Sequence, residues 1–80
     1  MAVPMRELRD LSQPIVSEIF GDDAPRVTLG CDHVYDTIVA IADGNAFIVF
    51  RRDDIGDNWT AVMKERLAAV HGNMARGILA

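Results

Sequence analysis

One cysteine, Cys31, leaves this 80-residue chain without an intramolecular disulfide, so packing must hold its fold and a reducing, cytoplasmic setting is expected. Nor does any apolar run approach the roughly 20 residues that span a bilayer, which argues against a membrane partner. The first residues set Arg6 and Arg9 among apolar side chains, without the long apolar core and small-residue cleavage site of a secretory signal. Clustered lysine and arginine are also missing. The formal charge is −4 and the pI near 4.8, which opposes nonspecific attraction to DNA, RNA or anionic lipid. No serine lies in a nucleophile elbow and no glycine loop has phosphate-binding spacing, so no enzyme activity and no cofactor are expected.

Half of the residues are hydrophobic and a quarter are charged, which suits a folded domain rather than a disordered segment. Eighty residues make one domain, spanning 1–80, in which only about 60% of the unfolded surface can be buried. Met5, Leu8, Leu11, Ile15 and Ile19 recur every three or four residues and predict an amphipathic helix over about 4–20, ended by Gly21. Pro14 falls on its solvent side, giving either one bent helix or two short ones broken near Ser12.

Alternating Val27, Leu29 and Cys31 predict a first strand, and the β-branched stretch Val34–Ala42 a second. Asp43-Gly44-Asn45 is a hairpin signal. Ala46–Arg52 then returns as the partner strand, apolar on both faces and hence expected in the centre of the sheet or covered on both sides. After the loop 53–56, Asp57 reads as the N-cap of a helix carrying Trp59, Val62, Met63, Leu67 and Val70, ending at Gly72-Asn73. Met74–Ala80 follows as a tail whose Ile78 and Leu79 want a docking site. The expected fold is α+β: helix, three antiparallel strands, helix, with the helices on one sheet face.

The charge is distributed unevenly. Eight of nine aspartates lie between Asp22 and Asp57, and residues 20–60 carry a net charge of −5 against +1 for the two ends. Asp53, Asp54 and Asp57 are the densest set, but no loop matches the spacing of a calcium site, and capping or turn roles explain these aspartates one by one. No metal site is expected. Cys31 and His33 would face the same way on a strand, yet no activating base or oxyanion pocket accompanies them. His71, near a helix C-terminus, reads as a dipole partner. Arg51-Arg52 with Phe47 and Phe50 offers a stacking site for nucleic acid, largely cancelled by the adjoining Asp53 and Asp54, so no direct nucleic-acid binding is expected.

In size, acidity, single-domain α+β character and lack of catalytic machinery, the chain resembles the small phage-encoded inhibitors called anti-CRISPR proteins. That resemblance implies an interaction protein whose acidic loops occupy a basic nucleic-acid channel of a larger complex, carboxylates standing in for phosphates. Asp32, Asp36, Asp53, Asp54, Asp57, Asp22 and Asp23 are then the partner-binding residues. The alternative is a homo-oligomeric structural or regulatory module joined through the last helix and the Ile78-Leu79 tail, so the chain is expected as a monomer or a homodimer. If the strands form an up-down-up meander, Asp22, Asp23 and Asp43 share one end of the sheet. Asp32, Asp36, Asp53, Asp54 and Asp57 then crowd the other, where a basic partner is sought first.

Overall fold

The computed structural model of the chain describes residues 4–76. Two helices, α1 (Met5–Leu11) and α2 (Gln13–Phe20), lead through a 3₁₀ helix (Gly21–Arg26) into three strands, β1 (Val27–Asp32), β2 (Thr37–Ala42) and β3 (Asn45–Arg51). A short 3₁₀ turn (Arg52–Asp54) and a 17-residue helix α3 (Trp59–Ala75) complete the α+β fold. The predicted Ile78 and Leu79 docking tail lies outside the described residues.

The first helix is broken rather than bent, at Ser12. The fully buried Ser12 hydroxyl donates to the Leu8 carbonyl at 2.7 Å, and its own carbonyl accepts from the Val16 amide. Pro14 thus sits in the first turn of α2, where a missing N–H costs nothing. The stripe shifts accordingly. Ser12 points into the core with Met5, Leu8, Ile15, Val16 and Phe20, whereas Leu11, expected inside, is 54% exposed. Gly21 stops α2 with a positive φ of 54°.

The sheet is an antiparallel meander in the order β1-β2-β3. The predicted central position of the third strand is therefore incorrect: β2 is central and β3 is an edge. A bulge accounts for the misleading apolar run. Val39 pairs with Ile48 and Ile38 with Phe50, leaving Val49 as the extra residue. Val49 and Phe50, adjacent in sequence, are consequently both turned inward, at 1% and 0% exposure. Beyond the bulge the pleat resumes, with Phe47 half-buried against the core and Ile48 turned outward.

The core joins Val27, Leu29, Ile38, Ala40, Ala42, Val49 and Phe50 of the sheet to Met63, Leu67 and Val70 of α3 and to the first two helices. Trp59 stands edge-on to Phe50, ring centroids 6.3 Å apart. Asp57 does not cap α3. The N-cap is Asn58, which makes no side-chain capping bond. The helix also passes the predicted stop at Gly72-Asn73, because Met74 packs on the core and His71 stacks edge-on against Phe20 at 5.1 Å. All helices cover one sheet face. The other, carrying Val39, Ile41, Ala46 and Ile48, has no helix over it among the described residues.

Candidate functional site

The meander divides the aspartates between two ends. At one end Arg26 bridges Asp23, at 3.3 Å, and Asp43, whose carboxylate accepts from its Nε at 3.0 Å. This ties the 3₁₀ helix to the β2–β3 hairpin. The hairpin is the two-residue turn Asp43-Gly44, both residues at positive φ, 51° and 82°, a geometry that matches the twist of its strands. Asp23 also lies 3.8 Å from the His71 imidazole. Asp22 is exposed.

The other end is more densely built. It gathers the four-residue turn 33–36 between β1 and β2 and the segment 51–57 that leaves β3. Asp32 ends β1 and turns its carboxylate onto the loop, accepting from the Val34 and Tyr35 amides at 2.9 and 3.2 Å, the Asx-turn geometry. Asp36 closes the loop with φ of 54°, a left-handed conformation that aspartate tolerates better than most residues. Arg52 grips it through two hydrogen bonds, one of them Nη2 to Oδ1 at 2.9 Å. Asp54 accepts from the Arg51 amide at 2.8 Å and from Arg66 Nη1 at 2.5 Å, pinning α3 to the end of β3.

Of the seven aspartates proposed to meet a partner, three have thus spent their charge on arginines and one on backbone amides. Asp22, Asp53 and Asp57 alone are exposed with no ion pair among the described residues. Asp53, Asp54 and Asp57 do not converge, and no group of three potential metal ligands is formed among the described residues. Phe50 is buried and Phe47 half-buried, so neither offers a free face for a nucleobase. Cys31 is half-buried on β1, and His33 stands in the turn beyond it.

Sequence reasoning missed what this bracing holds up. Val34 and Tyr35, at the crown of the turn, are 84% and 74% exposed. Beside them, on the helix-free sheet face, opens a pocket of about 310 Å³ lined by Tyr35, Thr37, Ile48, Arg51, Arg52 and Asp53. Val34 and Tyr35 read as the start of a strand, and the signal available for a loop was Asp at both flanks of the three-residue stretch 33–35.

Charge pairing lowers the pKa of three carboxyls below the usual aspartate value. Hydrogen bonds from Arg52 act on Asp36, from Arg26 on Asp43, and from Arg66 on Asp54, each opposed by partial desolvation. A carboxyl whose pKa is lower in the folded than in the unfolded chain stabilises the fold above its unfolded value, 3.8, and loses that contribution as pH falls below it. The Asp36–Arg52 and Asp43–Arg26 pairs are solvated, and the part-buried Asp54–Arg66 bridge, still open to water at Arg66, contributes on the order of 1 kcal/mol. Denaturant midpoints are expected to hold steady from pH 7 to 5 and drop below pH 4. The Asp36→Asn, Asp43→Asn, Asp54→Asn triple variant should flatten that drop. An equal drop in the variant would show that these pairs contribute nothing.

No helix among the described residues is long and apolar enough to cross a membrane. No protein-family model, curated protein or solved structure matches the chain.

Proposed function

We propose that this is a non-catalytic interaction protein that docks on a larger partner through the 33–36 turn and the open sheet face beside it. The supporting observation is the combination of exposure and bracing: Val34 and Tyr35 project into water from a turn clamped by Asp32 at one side and by the Asp36–Arg52 pair at the other. An apolar pair carried on a braced backbone loses less chain entropy on docking than one on a loose loop, and tyrosine with arginine is the composition enriched where interface energy concentrates. Ile41 and Ile48, 42% and 48% exposed, extend the surface across the sheet.

The acidic loops take a different part in this reading from the one their composition implied. An inhibitor that lays carboxylates along a basic channel needs them uncommitted, and at this end Asp53 and Asp57 alone have no arginine or amide partner among the described residues. They form a thin acidic margin to an apolar contact. Oligomerisation through α3 draws less support, since Met63, Leu67 and Val70 are already consumed by the chain's own core.

Photo-crosslinking tests the proposal. Tyr35→benzoylphenylalanine is expected to trap a discrete protein from a lysate of the native host, and Glu65→benzoylphenylalanine, on the exposed side of α3, is not. Unlabelled wild-type protein should compete, and a Val34→Ser, Tyr35→Ser variant should compete about tenfold more weakly or worse. Equal labelling from positions 35 and 65, or undiminished competition by the double variant, would sink the reading. Reduced competition by Asp53→Lys, Asp57→Lys would show the acidic margin to matter as well.

A further inference from the structure

We infer that the pocket beside Tyr35 receives a single carboxylate carried on a short apolar stem, supplied by an acidic side chain of the docked partner. The wall chemistry is specific. Ile48 and the Tyr35 ring provide apolar sides, and Arg51 provides a guanidinium that makes no ion pair among the described residues and exerts only a weak pull on Asp54. Its neighbour Arg52 is engaged by Asp36, so the two arginines are not equivalent. Thr37, 4% exposed although it faces away from the core, contributes a buried hydroxyl without a hydrogen-bond partner among the described residues, an arrangement folded proteins seldom leave unanswered.

Together these groups complement an anion with an apolar body. An apolar wall excludes water around the guanidinium and strengthens a charge-assisted bond to it. Asp53 on the same lining sets the charge of the guest, since it repels a phosphate dianion more than a carboxylate. The volume, about 310 Å³, lies at the small end of ligand pockets and suits one side chain. Assigning the carboxylate to a protein partner rests on the docking reading above, whereas the pocket's preference for a carboxylate does not.

The probe is 3-phenylpropanoate, titrated into isotopically labelled protein and followed by backbone amide shifts. Saturable shifts are expected at Thr37, Ile48 and Arg51. The neutral isostere 3-phenylpropanamide should bind about tenfold more weakly or worse, and phenyl phosphate no more tightly than the acid. Arg51→Gln should abolish the preference for acid over amide while leaving the remaining spectrum unchanged. Arg6→Gln, on the exposed side of α1, should preserve it. Equal binding of acid and amide, a preference that survives Arg51→Gln, or tighter binding of phenyl phosphate would overturn the assignment. Selective acid binding without crosslinking at position 35 would leave the pocket standing and remove the docking reading. Crosslinking without acid selectivity would do the reverse.

Discussion

Truncation of Phe50 to alanine is expected to destabilise the protein by about 3–5 kcal/mol, measured as the shift in a urea unfolding curve at pH 7. A domain of this length has a total stability of roughly 4–12 kcal/mol, so this one substitution removes a large share of it. The reason is position. Phe50 is fully buried, pairs across the sheet with Ile38 and meets the Trp59 ring edge-on, so alanine would leave a void bounded by a strand on one side and a helix on the other. With a small core the neighbouring groups have little slack to close it. Phe50→Leu should lose distinctly less. A Phe50→Ala cost under about 1 kcal/mol would mean that the ring is not inward.

Deletion of Val49 is expected to have the opposite character: a folded protein, weakened by about 1.5–3 kcal/mol, the contribution of one buried aliphatic side chain. Val49 is the surplus residue of the bulge. Without it Ile48 still pairs with Val39 and Phe50 still pairs with Ile38, so the pleat runs on unbroken and every other side chain keeps its face. Deletion of Val39 from β2 has no such remedy. That strand has no spare residue, and one half of it would turn Ile38 or Ala40 and Ala42 outward. It is expected to abolish folding. Cross-strand proton contacts between residues 38 and 50 in the Val49-deleted protein check the argument, and their loss would refute it.

The same bulge explains why the third strand was misplaced by its composition. Five consecutive apolar residues, Ala46–Phe50, read as a strand covered on both faces, and nothing local distinguishes that from an edge strand with two neighbours turned to one side. Element order and the hairpin at Asp43-Gly44 were legible, because each rests on short-range chemistry: periodicity, glycine tolerance of positive φ, and antiparallel return. The meander entered only as a condition, because strand order is settled by contacts between distant segments. The break at Ser12 was legible only as one of two outcomes. Pro14 is compatible with both a bend and a first turn, and burial of the Ser12 hydroxyl is settled by tertiary contact. For the candidate site, the sequence located the crowded end of the sheet but assigned its aspartates to the partner. Which carboxylates are free depends on where Arg52 and Arg66 return in space, 16 and 12 residues from Asp36 and Asp54. Composition carries no information about that return.

The clamped turn separates the residues that hold the fold from those that present a surface. Asp32, Asp36 and Arg52 fix the loop through backbone amides and a salt bridge, and none of these bonds involves the side chains of Val34 or Tyr35. Positions 34 and 35 are therefore open to change at almost no thermodynamic cost, as solvent-facing residues outside the core generally are. A lineage under pressure to follow a changing partner could alter two codons and keep the scaffold intact. A library randomised at those two positions would be a library of almost uniformly folded proteins that differ in the surface they present.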